Sequence, residues 1–373
     1  MASFNLKKYS SVLIVIGAFL IISWLYAYPA LSGKELSAGD NVSWKGMSHE
    51  AKQEFDKTGK EVLWTNSMFC GMPTYTFFLG KTDNYVYHIQ TGIEKILPKP
   101  GYFIFISMIC FFLLMQALGA NHWLSAIGAV AYAFASYNPI IIAAGHETKM
   151  LAIGYMPGVI AGIIRMYRGR WLIGAAITGI TFALMVSTQH FQIIYYLLII
   201  LLGLGVTLLV MAVKEQKIGR FFLATGLTIV VMAIAAGPSM PPTLLSLEYS
   251  KSTMRGGQSE LTIGHDKDKK TGGLDKEYAF RWSNGIGETF SMLVPYLYGG
   301  ASGEDASHAP ATSEAVGGQA EQIPTYWGPQ PFLSGPVYLG AVICFLFVLG
   351  LMVIRSPHKW WIAIVSLLAA AGR

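Results

Sequence analysis

Apolar runs long enough to cross a lipid bilayer recur along this sequence, and they constrain the fold more than any other feature. A helix needs about 17–25 apolar residues to span the bilayer core, and backbone polar groups in lipid must be satisfied within the protein. Of the 373 residues, 53% are hydrophobic and 13% are charged. We therefore predict an all-α, polytopic integral membrane protein. The eight complete apolar runs are residues 12–28, 102–118, 123–144, 151–166, 171–186, 193–213, 221–236 and 332–354.

The first and the ninth apolar runs differ from the others in their flanking residues or their length. The first run follows basic residues and also fits a signal peptide, but its apolar region is longer than the usual ~7–15 residues, which favours an uncleaved span. A ninth run, residues 360–371, is too short to cross the bilayer. We predict one transmembrane domain over residues 1–373 that is the front part of a longer protein.

The distribution of Lys and Arg predicts the orientation. Basic residues are enriched in cytoplasmic loops, and here the basic clusters follow an even number of crossings each time. We therefore predict a cytoplasmic N-terminus and two large extracytoplasmic loops, residues 31–100 and 238–330. The net charge of +6 reflects these clusters and does not indicate nucleic-acid binding. The clusters are Lys7 and Lys8, then Arg165, Arg168 and Arg170, then Lys214, Lys217 and Arg220, then Arg355 and Lys359.

The first of these loops has a predicted internal structure. Residues 48–61 are charged on most faces and predict a surface helix that ends near Gly59. Residues 85–97 place apolar residues at helical spacing and predict an amphipathic helix lying flat at the membrane surface.

Asp40 follows the first apolar run closely enough to face a substrate carried in lipid. A carboxylate there could accept a proton from an attacking hydroxyl. The alternative is a turn or helix-capping residue within Gly39-Asp40-Asn41, which the spacing alone favours.

A second polar group interrupts the third and fourth apolar runs. His146, Glu147 and Lys149 form a short turn between helices, and ionisable residues at such a depth tend to be functional. Lys149 could pair with a phosphate, and His146 with Glu147 could bind a divalent cation. Hydration of a helix hairpin is the alternative, and two ligands alone do not define a metal site.

Three further residues are candidates for phosphate binding. His190 lies in a similar turn that is predicted on the same face, where a structural role is the alternative. Arg255 and Arg281 lie in the second large loop and could grip a phosphate with paired hydrogen bonds, although exposed arginines are common in loops.

Three motifs carry a resemblance to a known family. The segments Trp64-Thr65-Asn66-Ser67-Met68-Phe69-Cys70-Gly71-Met72-Pro73, Gly145-His146-Glu147-Thr148-Lys149-Met150 and Tyr326-Trp327-Gly328-Pro329-Gln330-Pro331-Phe332 resemble the bacterial YfhO-like membrane protein family. The resemblance covers essentially the whole chain. It implies a helical bundle similar to the C-type (GT-C) glycosyltransferases, with Asp40 at the first acidic position and Glu147 at the second. There is no Asp-x-Asp, and a divalent cation is left open.

The resemblance implies a membrane glycosyltransferase of the bacterial cytoplasmic (inner) membrane with an extracytoplasmic active face. It would move a sugar from a polyprenyl-phosphate carrier to a glycan or lipid acceptor of the cell envelope. Asp40 would act as general base, Glu147 and His146 would orient the phosphate or a cation, and Lys149 would offset charge on the leaving phosphate. A transporter or flippase of lipid-linked glycans and a non-catalytic assembly factor are the alternatives.

Overall fold

The structure is a computed structural model that describes residues 6–79, 84–253, 255–256, 276–318, 321–356 and 358–371. It is mostly helical and divides into two compact units, Met1–Thr243 and Leu244–Arg373. The single transmembrane domain expected for the chain stays a prediction.

The first unit contains eleven helices among its described residues, and a twelfth begins in it and ends in the second unit. They are α1 (Leu6–Tyr26), α2 (Tyr28–Leu31), α3 (Gly39–Thr58), α4 (Tyr85–Ile96), α5 (Gly101–Leu118), α6 (His122–Ala133), α7 (Tyr137–Ala144), α8 (Glu147–Tyr167), α9 (Trp171–Ser187), α10 (Phe191–Lys214), α11 (Ile218–Ala236) and α12 (Met240–Ser250).

Each of the eight predicted apolar runs contains a helix. Within the described residues, four helical stretches are long and apolar enough to cross a membrane: α5, α8, α10 and the continuous stretch Ile218–Ser250. Helices α6 and α7 meet this test together, with a bend of 44° between them. Three more apolar helices are shorter: Ser10–Tyr26, Trp171–Ser187 and Ala341–Val353. A helical membrane protein is thus supported, while the number and direction of the crossings stay predictions.

The break between α6 and α7 is stabilised by a buried amide. Asn138, which is 3% exposed, donates from its Nδ2 to the carbonyl oxygens of Tyr132 at 2.9 Å and Ala133 at 3.3 Å. These carbonyls lie at the end of α6, where helical partners are missing. An amide that satisfies them lets a helix break at membrane depth.

Helix α8 lies at the centre of the first unit and contacts α5 and α9 most extensively. Glycines at four-residue spacing make these contacts close. A Cβ on Gly154 would lie 2.9 Å from Ser107 Oγ of α5, and a Cβ on Gly158 would lie 2.6 Å from Thr181 Cγ2 of α9. Small residues allow such helices to approach closely and gain van der Waals contact in lipid.

The first polar segment is more helical than predicted. Helix α3 begins at Gly39, so the predicted start near Ser48 is wrong, while its end at Thr58 with a left-handed Gly59 agrees with the prediction. Asp40 consequently lies in the first turn of a helix, where an acidic side chain suits the dipole. Helix α4 matches the predicted amphipathic segment. Between them, strand β1 (Trp64–Thr65) pairs antiparallel with β2 (Met72–Pro73).

The second unit has shorter elements among its described residues. The eighth predicted run, residues 332–354, begins as a helix only at Ala341. Leu339 instead donates its N–H to the Met292 carbonyl at 3.0 Å, and Gly340 has a φ of +93°. Strands β3 and β4 pair antiparallel. The elements are α13 (Lys276–Phe280), β3 (Glu304–Asp305), α14 (Pro310–Ala315), β4 (Gln322–Ile323), α15 (Ala341–Val353) and α16 (His358–Ala371).

Candidate functional site

The candidate site forms where the first turn of α3 meets the turn between α7 and α8. Gly145 ends α7 with a φ of +88°, a left-handed conformation that favours glycine. A Cβ at Gly145 would lie 3.0 Å from the Cβ of Ala38 and 3.1 Å from the Cβ of Asp40. The missing side chain therefore lets the two segments approach each other. This approach places His146 Nε2 at 3.1 Å from Asp40 Oδ2.

A second set of contacts fixes the same two segments to the end of the first polar segment. Asn41 donates from its Nδ2 to Glu147 Oε1 at 3.0 Å, and Lys99 Nζ lies 2.6 Å from Glu147 Oε2. Lys99 also lies 3.2 Å from Glu94 of α4. Burial alone would lower the pKa of Lys99, but the charges and hydrogen bonds of Glu147 and Glu94 outweigh it and raise that pKa. Lys99 therefore stays charged at neutral pH.

Two further basic side chains lie near this contact. The Nζ of Lys149 lies 5.3 Å from the centroid of the Tyr137 ring, within cation–π range. His190 precedes α10, and its Nε2 is buried with no hydrogen-bond partner among the described atoms. Burial, followed by electrostatic repulsion from Lys149 and His146, lowers the pKa of His190. His190 is thus neutral at pH 7, and the cationic Lys149 lies near it.

The lowered pKa of His190 predicts a pH-dependent stability. The unfolded imidazole titrates near 6.5, so below that pH the unfolded state binds more protons and stability falls as pH falls toward the folded pKa. We expect the Tm of the wild type to drop between pH 7 and 5, and the Tm of His190→Gln to drop less. His88→Gln changes an exposed histidine of α4 and serves as control. Equal pH dependence in all three proteins would contradict the assignment.

The Asp40–His146 pair is open to solvent, because the two side chains are 65% and 45% exposed. A carboxylate hydrogen-bonded to an imidazole can take up a proton from a bound hydroxyl, on either partner. An Asp also orients a His base in catalytic triads, there through Nδ1, whereas here the contacting nitrogen is Nε2. The pair therefore has the chemistry of a general base that a substrate can reach.

The proposed cation site is not supported by this arrangement. Both Glu147 oxygens accept from nitrogen donors, with Lys99 where a cation bound to Oε2 would have to lie. In the described part of the chain, no three His, Cys, Asp or Glu side chains are grouped to hold a metal ion. His146 and Glu147 as placed do not fit a metal ion.

The structure brings together five of the seven predicted site residues. Asp40, His146 and Glu147 belong to one network of contacts, and Lys149 and His190 lie beside it. The other two are exposed residues of the second unit. Arg281 lies over the Trp282 ring at 5.8 Å, and Arg255 follows α12. Their role in binding phosphate stays a prediction.

Sequence reasoning missed three residues that build the site. Lys99, Asn41 and Gly145 supply the ion pair, the amide hydrogen bond and the close approach. Lys99 lies between two prolines immediately before α5. A single basic residue next to an apolar run could have been identified as a candidate site residue from the sequence. The pairing of Lys99 with Glu147 was not visible, because three helices, α5, α6 and α7, separate the two residues in the chain.

The fold and site define the class of protein: a mostly helical protein with at least four helices long and apolar enough to cross a membrane, and with a cluster of charged side chains at the ends of two of its helices. A comparison with models of protein families, with curated proteins and with solved structures gives no match for this chain.

Proposed function

We propose that this protein is a C-type glycosyltransferase, similar to the YfhO-like family, that acts at the extracytoplasmic face of the bacterial inner membrane. It would transfer a sugar from a polyprenyl-phosphate carrier to a glycan or lipid acceptor of the cell envelope. The observation that carries this proposal is the hydrogen-bonded Asp40–His146 pair, at 3.1 Å and open to solvent. It joins two polar segments that the sequence predicts on one face of the membrane.

The proposed reaction assigns each group one role. The acceptor hydroxyl oxygen attacks the anomeric carbon of the sugar, and its proton passes to the Asp40–His146 pair. The bond between the anomeric carbon and the phosphate oxygen breaks, and its electrons leave with the polyprenyl phosphate. Lys149 would stabilise the negative charge that develops on this phosphate, with His190 beside it.

Glu147 has a positioning role in this proposal. Its carboxylate links Asn41, the neighbour of Asp40, to Lys99. Through these contacts it holds the first turn of α3 against α8. Catalysis by a general base requires hydrogen-bond reach to the reacting hydroxyl, so the fixed position of α3 matters for the rate.

The bend between α6 and α7 favours one alternative from another class. Broken helices that line a substrate path are typical of transporters, and here the break of 44° precedes α7, the helix that ends at the candidate site. A transporter or flippase would carry the lipid-linked glycan across the membrane without breaking the sugar–phosphate bond.

A reconstituted assay separates the two functions. The full chain in liposomes would be given polyprenyl-phosphate-linked hexoses with a labelled sugar, together with lipid acceptors. Transfer of the label to an acceptor supports the proposal. Movement of intact donor between leaflets without transfer supports the transporter instead.

The same assay gives a prediction for Lys149. Because Lys149→Ala removes a cation at the expected phosphate position, donor affinity should fall by about tenfold, as for the loss of one charge-assisted hydrogen bond. Lys57→Ala removes an exposed lysine from the end of α3 and should leave donor affinity unchanged. Donor affinity and Tm are measured for each protein. An unchanged donor affinity in Lys149→Ala would indicate that Lys149 has a structural role and does not contact the phosphate.

A further inference from the structure

A buried carboxylate lies in the second unit, apart from the candidate site. Glu288 begins a 3-10 helix, Glu288–Met292, and is only 5% exposed. Its Oε2 accepts from the Gly285 N–H at 2.9 Å. Its Oε1 accepts from the Tyr326 hydroxyl at 2.7 Å and from Gln330 Nε2 at 3.2 Å. Two of these donors come from the Tyr326–Phe332 motif that the sequence singled out.

These three donors hold the carboxylate but carry no positive charge. Within the described residues, no Lys, Arg or His lies within ion-pair distance of Glu288. Glutamates are almost never fully buried unless paired, and buried charges are typically paired or coordinate metal ions. The recorded contacts of Glu288 therefore supply hydrogen bonds but no cationic partner.

A small cavity of about 40 Å³ lies against this carboxylate, and its wall combines polar groups with the apolar side chains of Met292, Leu333, Pro336 and Val337. Asn284, Ser291, Tyr298 and Tyr326 contribute to its wall together with Glu288. Ser291 is 8% exposed, and its Oγ is buried with no hydrogen-bond partner among the described atoms. A cavity needs roughly 10–15 Å³ to hold one water-sized body. The space therefore fits one small ion with a water molecule, and a sugar is too large for it.

The wall of the cavity is closely built. A Cβ on Gly285 would lie 2.8 Å from Pro329 Cγ, and a Cβ on Gly287 would collide with the Tyr298 hydroxyl. The Tyr326 hydroxyl donates to Glu288 Oε1 at 2.7 Å and accepts from the Gln330 N–H at 3.0 Å, so its orientation is fixed. The polar groups around the cavity are thus held in place before any ligand enters.

We propose that this cavity is a binding site for one sodium ion, held by the Glu288 carboxylate and by neutral oxygens that include Ser291 Oγ. Oxygen ligands suit hard cations. A single carboxylate balances one positive charge, which favours a monovalent ion over a divalent one. The buried Glu288 carboxylate and the unpartnered Ser291 hydroxyl both belong to the second unit. The proposed sodium site is therefore independent of the proposed glycosyltransferase activity.

The test is a thermal unfolding series on the full chain in detergent micelles, with sodium chloride replaced by choline chloride at constant ionic strength. A ligand that binds the folded state alone raises its stability with concentration. We expect sodium to raise the Tm by roughly 3 °C relative to choline. Glu288→Gln and Ser291→Ala should each lose this sodium-dependent rise. The second variant keeps the carboxylate and its three donors, so it remains informative if Glu288→Gln does not fold.

Glu304→Gln is the matched control, because Glu304 is a partly buried carboxylate of the same unit that bonds to Thr325 and does not line the cavity. It should keep the full sodium-dependent rise even if its own Tm is lower. A sodium effect of equal size in Ser291→Ala and wild type would overturn the proposal. So would stabilisation by calcium without any by sodium, or an identical Tm in sodium and choline, which would indicate that the cavity holds only water.

Discussion

Replacing Asp40 with Asn is expected to lower the rate of sugar transfer by about 10²–10⁴-fold, the usual contribution of a positioned general base. The amide keeps the shape of the carboxylate and can still contact His146, which lies 3.1 Å from Asp40 Oδ2. What it loses is the negative charge that takes up the proton and orients the imidazole. Because the side chain is 65% exposed, the variant should insert and fold normally.

Glu35→Gln is the control for Asp40→Asn. Glu35 belongs to the same polar segment, but it is exposed and paired with Lys45. Transfer by this variant should match that of wild type. The measurement is the initial rate of label transfer in liposomes, with Tm recorded for each protein. Near-wild-type transfer by Asp40→Asn would show that the base lies elsewhere.

His146 offers a way to distinguish the two members of the pair. If Asp40 accepts the proton directly, His146→Gln should cost less than Asp40→Asn, because the glutamine can still hydrogen-bond the carboxylate. If His146 accepts the proton and Asp40 orients it, the two variants should be similarly impaired, because residues that act as a unit are not additive. The rate of the double variant checks this point.

The positions of most long helices could be predicted, because an apolar run of sufficient length in the sequence indicates a membrane-spanning helix. The runs at 102–118 and 193–213 agree with α5 and α10 to within a few residues, since lipid demands apolar residues on every side of a helix. The break between α6 and α7 was not predictable in this way. It depends on Asn138, one polar residue whose partners are carbonyl groups of the preceding helix.

The candidate site was predictable in its members but not in its pairing. Asp40, His146 and Glu147 stand out as polar residues beside apolar runs, and that signal is local. Their contacts depend on how α3 enters the bundle, and the sequence indicated a helix start near Ser48, nine positions after the observed start at Gly39. Glycine and alanine precede Asp40, and neither provides a side-chain cap, so the usual signature of a helix start is missing.

Among substitutions at the site that keep every polar group, Gly145→Ala should lower the Tm and the transfer rate most. Gly145 and Gly119 both end helices in the left-handed region, with φ of +88° and +100°. For any L residue this conformation costs about 1–2 kcal/mol. A Cβ at Gly119 would meet nothing within 4 Å, whereas a Cβ at Gly145 would lie 3.0 Å from Ala38 Cβ and 3.1 Å from Asp40 Cβ.

Gly119→Ala therefore isolates the backbone cost, and Gly145→Ala adds the cost of moving α3. Such overpacking typically adds about 1–3 kcal/mol, so Gly145→Ala should have clearly the lower Tm. Because α3 must shift, Asp40 should also separate from His146, and transfer should fall toward the rate of Asp40→Asn, while Gly119→Ala keeps its transfer rate. If both variants lose equal stability and both keep transfer, the close approach at Gly145 does not position Asp40.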